Sequence, residues 1–502
     1  MSDSAAMNGD GTQAGRVGDG RGPHVAVVGG GIAGLSAAWT LLGLGARVTL
    51  LEAEHPGGKL RTVAFAGRPL EEGPDAFLAR VPDATRLARE VGIGDQLVAP
   101  ATGRAFVQVD GTLVPLPSAQ VLGVPADPDA ADLAAMLTPA EITRLRSDCD
   151  EPGPPPAPGD DPTIGAFIRS RLGDAVAERL VGPLVGGINA GDIDALSLAA
   201  VTPQLDRLAR LADEPSLVRA AARMRAAAAT SGPVFFAPAG GMAALVDATV
   251  AAIVHAGGEI HDDVAVRSLE RLERSWRVVA DEPRRTGVAT EMTFEADAIV
   301  LATPAPVSGS LIQDHAPTAG SHLGSIPHAS VAIATFAFEP ASVPRAADGS
   351  GFLVPRTEGT LTTAASWLST KWERLAPDHG DGTFLIRVSA GRADDRRIAE
   401  LDDAALLDRL ADELGRVMGA DAPVARRLRR WPSALPQYTP GHLDRIAAIE
   451  ADLASLTPPV AVAGCALRGV GIPASIASGR LAAERIMSSL TPGAGRAGST
   501  ST

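Results

Sequence analysis

An apolar run, His24-Val25-Ala26-Val27-Val28, ends abruptly in Gly29-Gly30-Gly31-Ile32-Ala33-Gly34. Helical spacing continues through LSAAWTLLGLG, and a second apolar run, RVTLL, leads to Glu52, 18 residues after Gly34. Strand, Gly-x-Gly-x-x-Gly turn, helix, strand and acid stand in the order that binds a dinucleotide. Each residue type has a task in that unit. Gly29 permits the tight turn, Gly31 lets the backbone approach a pyrophosphate, and Gly34 lets helix and strand pack closely. The helix N-terminus offers free N–H groups to the phosphates, and Glu52 accepts hydrogen bonds from ribose hydroxyls. FAD and NAD share this fingerprint, so the unit by itself leaves both open.

Other segments carry chemistry of the same kind. Gly57-Gly58-Lys59-Leu60-Arg61-Thr62 follows Glu52 almost at once. A glycine pair so near the acid lets the chain pass tightly along an extended cofactor; Lys59 either offsets phosphate charge or is a solvated loop cation. Near the C-terminus VAVAG ends at Gly464, and Arg468-Gly469-Val470-Gly471-Ile472-Pro473 opens a last helix. Its N-terminal dipole would face a flavin N1–C2=O edge and stabilise negative charge there. Pro473 in the first turn is also an ordinary capping device. There is no Ser–His–Asp arrangement, no HExxH and no pair of carboxylates at helical spacing. Cys149 and Cys465 are too few for a disulfide framework or a zinc site built on Cys pairs. No metal is expected, and no catalytic side chain is assigned.

The elements that must hold these residues are legible in outline. A chain of 502 residues exceeds one hydrophobic core and implies two or three domains. Strand-like runs are HVAVVG, ARVTLLE, AFVQVDGTLVPL, EIHDDVAVRSLE, SWRVVA, DAIVLAT, SVAIATFAFE, TFLIRVSA and VAVAG. Helical patterns dominate from about 126 to 230, as in TIGAFIRSRLGDAVAERLVGPLV and DEPSLVRAAARMRAAAA. Strands of one kind at both ends with helices between them predict a discontinuous α/β nucleotide-binding domain with inserted regions. The proline-rich DEPGPPPAPGDD excludes helix and central strand. Both termini are Gly- and Ser-rich without apolar period and read as disordered tails.

A net charge of −14 argues against a nucleic-acid partner. No membrane span and no secretory leader are expected, and the cysteine usage fits a reducing cytoplasm. Of 45 basic residues only Lys59 and Lys371 are lysines, and Tyr438 is the one tyrosine. An ammonium and a guanidinium are not interchangeable, so both lysines draw scrutiny.

The glycine fingerprint, GGKLRT and EEGPDAF resemble the flavin-dependent amine oxidase and protoporphyrinogen oxidase superfamily. SRLGDAVAERLVGPLVGGINAGDIDALSL, FAPAGGMAAL, STKWERLAP, LPQYTPGHLDRI and CALRGVGIPASIASG narrow the resemblance to the bacterial oxygen-dependent porphyrinogen oxidases, over about residues 24 to 488. The family's usual GPDSF is GPDAF here, and its KWP reads Lys371-Trp372-Glu373. The alanine removes a hydroxyl without changing the backbone path.

The resemblance implies a Rossmann-type FAD-binding domain of 23–97, 205–307 and 432–489, between tails at 1–22 and 490–502. A mainly helical domain of 98–204 and an α+β substrate-binding domain of 308–431 complete it. It places FAD on Gly29, Gly30, Gly31, Ile32, Ala33, Gly34, Glu52, Ala53, Lys59, Gly73, Pro74, Asp75, Ala76, Val470, Gly471 and Ile472. It adds Val264, on the strand HDDVAVRSLE, at the adenine, and Trp431 along the flavin. On the substrate side it implies Arg104 at a propionate. Lys371 is a second anionic contact or a structural cap, and Phe352 packs on a pyrrole face or in the core. The implied activity is oxidation of coproporphyrinogen III to coproporphyrin III, with O₂ as acceptor and H₂O₂ as product, in haem biosynthesis. The Arg- and Ala-rich, Lys-poor composition resembles that of high-GC Gram-positive proteins and favours this substrate over protoporphyrinogen IX. Another flavin oxidase or desaturase, or a porphyrin-binding flavoprotein without turnover, is the alternative. With no second βαβ fingerprint for NAD(P)H, the substrate itself is the electron donor. Peripheral membrane contact and a transient contact with the next haem-pathway enzyme are left open.

Overall fold

The structure, a computed structural model, describes residues 22–228, 232–281, 291–343 and 347–490. The expected tails therefore lie outside the described residues, apart from Gly22 and Leu490, the last residue of a helix.

Five strands form a parallel sheet in the order Glu259–His261, Arg47–Leu51 (β2), His24–Val28 (β1), Ala298–Leu301, Val460–Val462. Val25 to Val28 are at most 2% exposed, because both faces of the sheet are covered. Val25 and Val27 pack with helix α1 (Ile32–Gly43) and the helix Ile472–Leu490. Ala26 and Val28 pack with an antiparallel meander, Ala265–Arg271, Trp276–Asp281 and Glu291–Ala296, and with the helix His442–Ala454. Close backbone approach sets the first face. A Cβ on Gly34 would lie 1.9 Å from Gly29 O, and one on Gly479 would lie 2.0 Å from Ala33 O. Only hydrogen fits at either position.

A second sheet has seven strands, in the order Ala425–Pro436, His328–Phe338, Phe384–Ala390, Thr362–Trp367, Gly351–Leu353, Phe106–Val109, Thr112–Pro115. All neighbours are antiparallel except Gly351–Leu353 with Phe106–Val109. One face buries Phe336, Phe338, Trp367 and Phe352 against Leu406, Leu410 and Leu414 of the helix Asp403–Met418. The hairpin 106–115 falls inside the stretch expected to be mainly helical. It closes this sheet on one side, while Val107 joins the core of the neighbouring helices.

Those helices are Pro139–Asp150, Ile164–Leu172, Ala177–Gly186 and Leu217–Ala228. Leu217, Val218, Ala220 and Ala221 form an apolar stripe that joins this core, so the helical region extends beyond residue 204. Asp148 and Arg171 pair inside it at 2.7 Å, and Asp148 also accepts from Ser216 Oγ and Val218 N. The proline-rich loop is held by Arg210, which donates to Pro156 O, Ala157 O and Asp160 O.

Candidate functional site

Two helix N-termini meet beyond the C-terminal ends of the parallel strands, where open α/β sheets bind ligands. The two helices are joined where Ser36 Oγ donates to Ile476 O at 2.9 Å, and Gly464 N, just after the strand Val460–Val462, donates to Ser478 Oγ at 3.0 Å. No side chain caps α1, so its first N–H groups remain available to an anion. The glycines around it differ in their surroundings. Gly29 has φ +106, and a Cβ there would lie 2.8 Å from the backbone of Ala302. A Cβ on Gly31 would meet nothing within 4 Å. The open side of the turn is therefore at Gly31, where a pyrophosphate would lie, with Ile32, Ala33 and Gly34 behind it. The residues present fit a dinucleotide.

Glu52 is half-buried beside this turn. Its Oε2 accepts Gly30 N–H at 2.5 Å, and its Oε1 accepts Glu54 N–H at 3.0 Å. Ala53 is exposed. Val264 is 3% exposed and donates its N–H to Glu52 O at 2.8 Å. It does not lie on a strand. The run EIHDDVAVRSLE breaks at Asp262–Asp263, with Asp263 at φ +58, because the chain leaves the parallel sheet there and starts the meander. Gly57 N donates to Gly30 O at 2.8 Å, which brings the GGK segment onto the first turn. Lys59 is half-buried, with Nζ 3.9 Å from Cys465 Sγ.

The EEGPDAF segment lies along the next side. A Cβ on Gly73 would be 2.1 Å from Lys59 O, so the two segments touch. Pro74 is exposed, Ala76 half-buried and Asp75 buried. Asp75 Oδ2 accepts from Lys371 Nζ at 2.9 Å and Trp372 Nε1 at 2.9 Å, and Oδ1 meets Arg387 at 3.0 Å. Burial pushes this carboxyl up, but Arg387, Lys371 and the indole N–H outweigh it and hold it well below the usual carboxylate range. Arg387 also donates to Gly73 O at 3.0 Å. Trp431 Nε1 donates to Glu72 O at 2.7 Å, and Arg429 stacks 4.3 Å above the Trp431 ring. Val470 and Gly471 lead into Ile472, the first residue of the last helix.

The three residues expected on the substrate side have separate partners. Arg104 is 53% exposed and pairs with Asp348 at 2.5 Å. Lys371 belongs to the Asp75 ion pair. Phe352 is 2% exposed, with its ring centroid 6.3 Å from that of Trp367, on the face covered by Asp403–Met418. Arg387 and Trp372 were missed as site residues. Arg387 had a signal: a charge in the middle of TFLIRVSA must find a buried partner.

A mixed α/β protein with a glycine-rich turn at the C-terminal end of the central strand of a parallel sheet is the class that this geometry defines. Over residues 32–487 the sequence matches the flavin containing amine oxidoreductases, and the chain belongs to that family of oxidoreductases. It is 31% identical over 474 residues to the coproporphyrinogen III oxidase of Bacillus subtilis (strain 168), covering 91% of this chain and 97% of that protein. It is 34% identical over 499 residues to the coproporphyrinogen III oxidase of Propionibacterium freudenreichii subsp. freudenreichii, covering 92% and 90%. The solved structure of an Exiguobacterium sp. 255-15 protein assigned to the protoporphyrinogen oxidases superimposes with a TM-score of 0.79 at 29% identity, covering 92% of this chain and 98% of that one.

Proposed function

We propose that the protein is an FAD-dependent oxidase that converts coproporphyrinogen III to coproporphyrin III, with O₂ as acceptor and H₂O₂ as product. The observation that carries the cofactor is the glycine turn, closed at Gly29 and Gly34 and open at Gly31. The substrate rests on the two relatives that bear its name across nine-tenths of both chains. In this reading the parallel sheet and its covering helices are a Rossmann-type FAD-binding domain, assembled from separate stretches of the chain. The seven-stranded sheet and the helical region hold the substrate. Among the described residues no helix is long and apolar enough to cross a membrane; in this reading the enzyme is cytoplasmic, as its reducing-compartment cysteine usage suggests, with peripheral membrane contact at most.

A bound flavin supplies the redox chemistry, three two-electron oxidations per porphyrinogen, each completed by O₂. The chain's own residues bind and orient. The N-terminus of α1 and Gly31 N–H take the pyrophosphate, and Glu52 takes the ribose with the lone pairs that Gly30 and Glu54 leave free. Lys59, on the segment that Gly57 holds against the first turn, would offset phosphate charge. Asp75 fixes the Gly73–Ala76 backbone, and Lys371 serves as the tether of Asp75 rather than as a substrate cation. The start of the helix Ile472–Leu490 would hold the flavin N1–C2=O edge, where its N–H dipoles would stabilise negative charge. Porphyrinogen N–H protons leave through tautomers to water, so no general base is assigned.

The test is anaerobic mixing of the yellow holoenzyme with each porphyrinogen. Coproporphyrinogen III is expected to bleach the flavin absorbance faster than protoporphyrinogen IX. The reverse order would make the Exiguobacterium assignment the better guide. No bleaching with either would remove porphyrinogens altogether.

Arg104 gives a smaller prediction. Its exposed guanidinium is already engaged by Asp348, so a propionate must compete for it, and exposed pairs are worth about 0–1 kcal/mol. Arg104→Ala should therefore raise KM by up to roughly fivefold at unchanged kcat. Asp348→Ala should lower KM by freeing the guanidinium. Steady-state porphyrin fluorescence reads both, and a fall in kcat for Arg104→Ala at constant KM would place that residue at the chemistry instead.

A further inference from the structure

Tyr438 lies on the turn that follows the strand Ala425–Pro436, His442 opens the helix His442–Ala454 after it, and both are buried, at 2% and 0% exposure. Their rings stack with centroids 4.0 Å apart at 15°. Their side-chain hydrogen bonds go to one stretch of backbone, residues 465–469, between the strand Val460–Val462 and the helix Ile472–Leu490. Tyr438 Oη donates to Cys465 O and accepts Gly469 N–H at 2.9 Å. His442 Nε2 meets Leu467 O at 2.9 Å; a carbonyl only accepts, so Nε2 carries the proton. Burial raises the phenol far above its ordinary range and lowers the imidazole, so both side chains stay neutral and able to donate. The turn is anchored on its far side too. Ser197 N donates to Tyr438 O at 2.8 Å, and Gly441 N donates to Asp161 Oδ2 at 2.9 Å.

We propose that Tyr438 and His442 are positioning residues: they fix the 465–469 loop and, through it, the aim of the first N–H groups of the helix Ile472–Leu490 at the flavin N1–C2=O edge. The inference rests on the FAD reading above and adds to it what sets the flavin's electron affinity. Reduced flavin carries negative charge at that edge, and preorganised N–H dipoles stabilise it only if they are held in place. Three backbone groups within five residues are held by two neutral, stacked side chains. The loop can then neither turn its carbonyls toward the crevice nor let the helix start drift. The far-side anchors tie the same turn to the helical region.

The test uses purified holoenzyme, parent against Tyr438→Phe, which keeps the ring stack and removes two hydrogen bonds. His442→Phe, a milder loss of one bond, is judged by the same readouts if Tyr438→Phe does not fold. The flavin midpoint potential and the affinity for sulfite, which adds to electron-poor flavins, are measured beside thermal stability. The expected result is a sulfite affinity lower by about tenfold, within the range that a charge gains at a partly buried helix terminus. It is matched by a midpoint potential more negative by about 30 mV for a two-electron couple, with FAD still bound at one per chain. Retained FAD with unmoved potential and sulfite affinity, whatever the thermal stability, overturns this inference alone and leaves the cofactor reading standing. A parent protein that binds no FAD overturns both.

Discussion

Asp75→Asn is expected to destabilise the protein by about 3–5 kcal/mol, the usual cost of removing one partner of a buried ion pair. Asp75 is 6% exposed, and its carboxylate is the shared partner of Lys371 and Arg387, whose side chains are only 15% and 10% exposed. Asn keeps the volume and one acceptor, yet leaves both cations without a counter-charge. The Nε of Arg387 already has no partner, so that guanidinium has little else to turn to. Thermal unfolding should show a large drop for Asp75→Asn and a partial recovery in the double variant with Lys371→Met, because the second change removes one of the stranded charges. A drop for Asp75→Asn that Lys371→Met leaves untouched would mean that the pair is not coupled.

The pH dependence has a definite sign. Asp75 titrates lower in the folded state than its ordinary 3.8, so the folded state binds fewer protons there than the unfolded one. The stabilisation is complete above that ordinary value and is lost as the pH falls below it. The gap between parent and Asp75→Asn should therefore stay constant from neutral pH down to about 4 and narrow only in stronger acid. A gap that closes near neutrality would assign the effect to another group.

The contrast between Asp75 and Arg104 shows where sequence reading was informative. Local patterns that one segment completes by itself were legible. The βαβ unit needs only apolar runs, glycines and an acid in register, and each strand-like run named from periodicity contains a strand, although EIHDDVAVRSLE and AFVQVDGTLVPL each divide into two. The edge strand Ala425–Pro436 was invisible because ARRLRRWPSALP has charges at most positions and an internal proline. It is tolerated at a sheet edge, where Arg426 and Arg430 reach Asp408 and Asp403 on the covering helix. Partner choice was not legible at all. Nothing in GPDAF, KWE and TFLIRVSA says that Asp75, Lys371 and Arg387 converge, since Asp75 lies 296 residues from Lys371 and meets the two cations only through the sheet's position. The same holds for Tyr438, whose singularity was plain but whose two backbone partners were not. Arg104 matched a motif, and the motif could not show that Asp348 already held it.

Glu52→Ala should cost FAD affinity by about 1.5–3 kcal/mol, which is roughly 10- to 150-fold in Kd, the range for hydrogen bonds to a charged acceptor. The site explains both the loss and its limits. Two of the carboxylate's acceptor positions already serve Gly30 N–H and Glu54 N–H, which fixes the side chain before any ligand arrives. In the proposed reading the positions left over would meet the ribose without further ordering of the group, so little binding free energy would be lost to immobilising it. Removing the carboxylate would therefore delete the ribose contact, while the close packing at Gly29 and Gly34 keeps the turn in shape. Glu52→Gln keeps an acceptor for Gly30 N–H but loses the charge, and should fall between parent and Glu52→Ala. Riboflavin 5′-phosphate, which lacks the adenosine half of FAD, supplies the control. Its weaker binding should be nearly equal in all three proteins, because Glu52 would have no ribose to meet. Titration of the apoprotein with each flavin, followed by fluorescence quenching, measures the six constants. Equal FAD affinity in parent and Glu52→Ala would take Glu52 out of the site. An equal loss for both flavins would instead assign its role to the turn alone.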